Sequence, residues 1–216
     1  MSENPGLNFY IILNPGNGPG NSIPDANYVA EVARLRMMPN ATLFGYVHVS
    51  WGERERSRVN ADISAWAAWK RCSYPDIHMD GIFLDEAPSS IRFLEYVRSI
   101  KQYAAIAFSK SIMLWSNPGV PVDSAFYAEA DIINACEEKH DRHMLQKILS
   151  STPALQQSKT SILIHDYNGS TQQLCLDVQA LRYAGYGSAL ITTDSNYTKF
   201  SDMWSEFVTA LAMERD

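Results

Sequence analysis

Residues 81–86 read Gly-Ile-Phe-Leu-Asp-Glu, a short apolar run that ends abruptly in two carboxylates. Such a run, bounded here by the turn signal Ala87-Pro88, marks a strand buried on both faces, and strands of that kind belong to parallel sheets covered by helices. Buried acids are costly unless paired or hydrogen-bonded, so Asp85 and Glu86 need a polar surrounding. Neighbours on a strand point to opposite sides. The two acids therefore share one pocket only if the chain has already turned by Glu86.

Outward from this segment, apolar β-rich runs alternate with longer amphipathic stretches. The other predicted strands are 9–13, 42–49, 111–115, 131–136, 161–165 and 189–192, with 81–84 between them. Predicted helices cover 25–38, 60–70, 90–107, 123–129, 139–149, 171–184 and 201–213. In the third of these, Ile91, Leu94, Val97 and Ile100 keep the spacing of one buried helix face. Seven βα units with no block of strands alone imply a parallel sheet under helices. No GxGxxG opens a helix after the first strand, so the dinucleotide-binding form lacks its mark. Doubly wound sheets and closed barrels both fit the periodicity; the closed form would be a (β/α)8 TIM-like barrel, irregular or with a short final unit, its eighth strand a short piece near 193–197.

The chain has 216 residues and a mass of 24.3 kDa, the size of a single barrel domain spanning 1–216. At 46% hydrophobic and 19% charged it is a folding sequence, not a disordered one. With 18 Lys+Arg against 24 Asp+Glu the formal net charge is −6. An acidic chain without a basic run is a poor binder of nucleic acid or anionic membrane, whereas a neutral or cationic partner suits it. Cys72, Cys136 and Cys175 are odd in number and lack CxxC spacing, which argues for buried thiols over a disulfide framework or a zinc ribbon. No apolar run reaches membrane-spanning length. The start, MSENPGLNFYIILNPG, has no basic region before its apolar run and does not read as a signal peptide. An intracellular chain and an exported one whose leader has been removed both remain open. No cofactor or metal is expected, and the chain reads as a monomer.

In parallel α/β folds the chemistry lies at the C-terminal ends of the strands. Those ends here are Asn14-Pro15-Gly16-Asn17-Gly18-Pro19-Gly20, then Tyr46 to Gly52 with His48 and Trp51, then Asp85-Glu86, Trp115-Ser116-Asn117-Pro118-Gly119, Glu137-Glu138, His165-Asp166-Tyr167-Asn168 and Thr192-Thr193-Asp194. Nearly all are polar or aromatic, which points to one polar pocket at one mouth. Asp85, Glu86 and Glu137 are the catalytic candidates, because two separated carboxyl groups are what glycoside hydrolysis needs. Asn14, Asn17, Tyr46, His48, Trp51, Trp115, Asn117, His165 and Tyr167 are the candidates for holding a substrate. Tyr127 and Tyr197 are further aromatics near that face. The glycine-rich first loop lacks the Lys-Ser/Thr of a phosphate cradle and reads as a stiff turn. Glu138 reads as the start of the next helix, and His140 with His143 as a solvated helix face. Asp85, Glu86, Glu137, Glu138, Asp166 and Asp194 make the mouth acidic, with Arg54 and Arg56 as the main counterweight.

The ordered set NPGNGPG, GYVHVSWGER, GIFLDE and the second Asn-Pro-Gly resembles the spherulin-4 family over roughly residues 8–193. The resemblance implies a (β/α)8 barrel similar to glycoside hydrolase family 135, whose members are endo-α-1,4-N-acetylgalactosaminidases acting on galactosaminogalactan, a cationic biofilm polysaccharide. It implies that Asp85, Glu86 and Glu137 match the family's acidic catalytic set and that the NPGNGPG turn shapes the cleft. The expected function is thus an endo-acting glycosidase on an α-1,4-linked galactosamine/N-acetylgalactosamine polymer. The alternative is a non-catalytic polysaccharide-binding or structural wall or spore-coat protein of the same family.

Overall fold

The computed structural model describes residues 1–21, 24–69 and 75–213. Its one sheet holds seven parallel strands in chain order: β1 (Phe9–Leu13), β2 (Ala41–His48), β3 (Gly81–Asp85), β4 (Met113–Ser116), β5 (Ile132–Lys139), β6 (Thr160–His165) and β7 (Ser188–Ile191). The helices are α1 (Ala26–Arg36), α2 (Arg56–Trp69), α3 (Leu94–Phe108), α4 (Phe126–Glu129), α5 (Met144–Ser151), α6 (Ala154–Gln157), α7 (Thr171–Ala184) and α8 (Trp204–Ala212). Asp25 caps α1 by accepting from Asn27 N, and Ser170 caps α7 by accepting from Gln173 N.

Strand parity divides the side chains into two layers. Leu43 and Val47 of β2, Ile82 and Leu84 of β3, Leu114 of β4 and Ile133 of β5 face outward and pack with Ile63, Trp66, Val97 and Ile100 of α2 and α3. Gly45 lets Trp66 lie directly on the sheet: a Cβ there would stand 2.5 Å from the indole. The Trp66 Nε1–H donates to Tyr46 O at 2.9 Å. Phe44, Phe83, Trp115 and Ile132 face inward with Tyr10, Tyr46 and Met113. Burying each such large side chain contributes about 1.5–3 kcal/mol. One residue pair further along β2, β3 and β4, the same inward parity brings His48, Asp85 and Asn117 to the mouth.

The expected ring of eight is corrected to a curled half-barrel of seven. Among the described residues β7 has no partner beyond β6, and residues 193–197 form no strand. Their polar side chains bond the local backbone instead, which competes with strand pairing. Asp194 Oδ2 accepts from Thr198 N at 2.9 Å, and Ser201 Oγ accepts from Thr193 N at 3.1 Å. The apolar side of α8, with Trp204, Phe207, Val208 and Leu211, lies across the gap between β7 and β1 and encloses a cavity of about 400 Å³ with Tyr10, Phe83 and Trp115.

β5 runs past its expected end at Cys136 to Lys139, and it carries a register shift between Asn134 and Cys136. Ala135 and Cys136 both pack against helices on the outer side. Plain alternation from inward-facing Asn134 would turn Glu137 outward. The bulge spends one extra residue and turns Glu137 in. Glu138 consequently stays in the strand, faces out and pairs with Lys147 at 3.1 Å, instead of starting a helix. The helix expected over 139–149 begins only at Met144, so His140 and His143 do not share a helix face. Helix 123–129 shrinks to the single turn of α4, and α6 is an element without a sequence counterpart. Cys136 and Cys175 are free, and burial pushes the Cys136 thiol up to about 12, which makes it inert. Cys72 and Lys70 lie outside the described residues.

Candidate active site

Four strand ends deliver the centre of the mouth. Asp85 ends β3. Tyr46, on β2, donates from its hydroxyl to Asp85 Oδ2 at 2.6 Å. Asn117, just past β4, donates from Nδ2 to Asp85 Oδ1 at 2.8 Å and to Glu137 Oε2 at 2.7 Å. One amide group thus bridges two carboxylates. Only an NH2 can satisfy both while they are ionised, so Asn117 Oδ1 turns to the Asn134 amide, 2.7 Å away. Tyr197, from the segment after β7, donates to Glu137 Oε1 at 2.9 Å.

The second Asn-Pro-Gly fixes this geometry through its backbone. Gly119 takes φ +68°, a conformation that favours glycine. Its N–H donates to Asn134 O at 3.1 Å, and its carbonyl accepts from Glu137 N at 3.0 Å. Those two bonds bracket the bulge. Glu86 lies at φ +50°, so the chain has turned as the shared pocket requires. Its Oε2 is 2.6 Å from His48 Nε2, which also meets Ser50 Oγ at 3.2 Å. Trp51, in the 3-10 turn Ser50–Gly52, donates its backbone N–H to Glu86 O and is 60% exposed. Non-glycine residues at positive φ recur around this rim at Asn17, Ser50, Trp51, Glu86, Asp166 and Tyr197, a concentration of strain typical of functional sites.

The electrostatics follow from the acids. Burial, then the hydrogen bond to Asp85 and the charges of Asp85, Glu86 and Glu137, push the Tyr46 hydroxyl well above the usual tyrosine range. Burial and Glu137 do the same to Tyr197. Both phenols therefore remain donors throughout the neutral range. Arg54, expected as a counterweight, donates to Asp62 and to the His48 carbonyl, both at 2.7 Å. Asp166 meets His165 at 3.1 Å and Lys139 at 3.8 Å. Asp194 is buried within its own loop, and Glu138 faces away, so neither adds to the acidic mouth.

Two expected site residues, Trp115 and Tyr167, stand elsewhere. Trp115 is 8% exposed and belongs to the interior layer beneath the acids, because it precedes Asn117 by two residues on the inward face. Tyr167 is buried under α7, its hydroxyl given to Asp177 at 2.8 Å. Asn14 Oδ1 accepts from Gly18 N at 2.9 Å and so shapes the first loop, with Asn17 exposed at φ +53° beside it. His165 stands near the mouth, its ring edge-on to Tyr197 at 6.3 Å. Asn134 has no signal beyond its polar character in an apolar strand. Tyr197, expected only as a further aromatic near this face, stands in the segment after β7 and reaches Glu137. Among the described residues no group of three His, Cys, Asp or Glu could hold a metal ion, and no helix is long and apolar enough to cross a membrane.

Comparison with known proteins agrees with this architecture. Residues 1–211 match the spherulation-specific family 4, Spherulin4, and the chain belongs to that family. Spherulin-4 of Physarum polycephalum is 34% identical over 125 residues, which are 57% of this chain and 35% of that protein. The matched stretch thus spans about a third of that relative's length. Among solved structures, Aspergillus clavatus Sph3, crystallised in complex with GalNAc, superposes with a TM-score of 0.90 at 28% identity, covering 98% of this chain and 88% of that one.

Proposed function

We propose that this protein is a glycoside hydrolase that cuts within an α-1,4-linked galactosamine/N-acetylgalactosamine polysaccharide by way of a covalent intermediate on Asp85. The observation that carries the reading is the Asn117 amide held between two carboxylates. One nitrogen 2.8 Å from Asp85 and 2.7 Å from Glu137 keeps the nearest oxygens no more than about 5.5 Å apart. Retaining glycosidases hold their carboxyl groups about 5–5.5 Å apart, and inverting ones leave room for water at about 6.5–9.5 Å. The likeness to Sph3, which was crystallised with GalNAc, supports the sugar class.

Asp85 accepts from two donors, Tyr46 of β2 and Asn117 just past β4, which fix its position. It attacks the anomeric carbon as the bond to the leaving sugar breaks, and Glu137 gives its proton to the leaving oxygen. Glu137 then takes a proton from water, whose oxygen displaces Asp85 from the anomeric carbon. Trp51 offers its exposed indole to a sugar face, and the Glu86–His48 pair offers hydrogen bonds beside it. A mouth that gathers Asp85, Glu86 and Glu137 while Arg54 pairs with Asp62 favours a polymer carrying free ammonium groups.

The test is reducing-end release from galactosaminogalactan, chitosan-like and uronic-acid polymers, with NMR of the first product. Cleavage of the cationic polymer to the α anomer, weakened by added salt, is expected, since screening acts over about 8 Å at physiological ionic strength. Release of the β anomer would overturn the covalent route. Binding without cleavage of any polymer would overturn the enzymatic reading.

A further inference from the structure

Tyr197 differs from the other groups that hold the acids. It is 46% exposed, and it stands on the irregular segment after β7 rather than on a strand. The loop beneath it is built, by Asp194 to Thr198 N and by Ser201 to Thr193 N. The side chain can therefore swing while the loop stays. Its hydroxyl bonds Glu137 Oε1, the oxygen that Asn117 leaves open. A carboxyl that protonates a leaving oxygen must face it with one of its own oxygens. With Oε2 turned to Asn117, that oxygen is Oε1, where the tyrosine hydroxyl stands.

We propose that Tyr197 is a displaceable positioning residue: it holds Glu137 before sugar enters, and the sugar takes its place on Oε1. The inference rests on the reading of Glu137 as proton donor. A hydrogen bond donated to a carboxylate favours the ionised form, so its removal on sugar entry favours proton uptake at the moment the proton is needed. The charged and titratable groups around Glu137 are Tyr46 of β2, Asp85 and Glu86 at the end of β3, His165 and Asp166 at the end of β6, Tyr197 itself, and Cys136, Glu138 and Lys139 on its own strand. Of these Tyr197 alone gives Glu137 a hydrogen bond, and it does so from outside the sheet.

Tyr197→Phe keeps the ring and removes the donor. The pH profile of kcat/KM reports the free protein, and that of kcat reports the complex with substrate. The basic limb of kcat/KM should move to higher pH by about one unit, the order expected for a hydrogen bond to a charged group. The basic limb of kcat should not move, because the tyrosine has already left. A shift in both limbs would show that Tyr197 stays in place through the reaction, and a shift in neither would show a merely structural bond; either overturns the proposal. A second measurement needs no turnover. With 13C-labelled glutamate carboxyls, Glu137 should titrate at higher pH in Tyr197→Phe than in the unaltered protein, and saturating N-acetylgalactosamine should erase the difference. A difference that persists with sugar bound, or none at the start, refutes the displacement. If that titration behaves as expected while no polymer is cleaved, the hydrolase reading falls and the displacement stands.

Discussion

The two sides of the mouth are built differently. On one side Tyr46, Asp85 and Asn117 sit on or just past adjacent strands, and each follows by inward parity from a large core residue: Phe44, Phe83 and Trp115. On the other side Glu137 faces inward only through a bulge, and its second donor, Tyr197, comes from the segment that stands where an eighth strand would close the ring. Sheet pairing holds both sides, through β2 to β4 on the first and through β5 and β6 on the second, where Glu137 stands opposite Leu163. The second side adds the two Gly119 backbone bonds and the Tyr197 phenol, a donor that belongs to no strand. A nucleophile benefits from the first arrangement, since it must keep one position and one charge. A group that gains and loses a proton in each cycle benefits from the second.

Removing either carboxylate should have the largest effect. Asp85→Asn and Glu137→Gln should each lower kcat/KM by about 10²–10⁴-fold or more, with circular dichroism and melting temperature nearly unchanged. On an aryl glycoside whose leaving group departs without a proton, only Glu137→Gln should recover turnover with added azide, because the covalent step then proceeds and the small anion needs no base. Equal rescue of both would erase the distinction between the two sides. Asn117→Ala joins the sides in one defect. It leaves two acids without their common donor and should cost about 10–100-fold in kcat/KM, in line with about 1–3 kcal/mol for an unmade buried bond. A loss confined to KM would mean that the amide touches sugar and does not hold the acids.

Tyr46→Phe sharpens the contrast with Tyr197→Phe. Loss of a donor to Asp85 disfavours its ionised form, and the nucleophile works ionised, so activity should fall first at low pH. The acid limb should move up by about one unit in both kcat and kcat/KM, because Tyr46 is fixed on β2 and remains through the reaction. An acid limb that moves in kcat/KM alone would make the strand side as mobile as the other. Trp51→Ala should have the smallest effect, a rise in KM of about tenfold with kcat held, as for a stacking platform outside the reacting groups. A fall in kcat would place the indole nearer the chemistry.

Strand ends explain how much of this is legible in the sequence. The βα alternation and the polar strand ends point to Asp85, Asn117, Tyr46 and His48, because parallel α/β folds gather polar groups where their strands finish. The same reading carries no height within the barrel, so it sets Trp115 at the mouth although it lies one layer below. Tyr167 follows β6 directly, yet it turns under α7 to Asp177, a tertiary contact that no local pattern announces. Glu137 was placed at the mouth on the expectation that β5 had ended, whereas the strand continues and the bulge turns it inward. Two small apolar residues, Ala135 and Cys136, between polar Asn134 and Glu137 are the trace of that bulge. They become readable only once helices are known to cover the outer face.

The bulge also makes β5 a strand with one residue to spare. Asn134 and Glu137 both face inward across two intervening residues, and one would serve equally well. Loss of Ala135 would iron out the register shift and leave both polar groups on the same side at the same height, whereas one added residue would make the count even without any bulge and carry Glu137 one inward step, about 7 Å, further along the strand. In this stretch the arithmetic of chain length governs how high in the mouth the carboxylate stands. A shortening can pass unnoticed, and a lengthening of the same size rewrites the site.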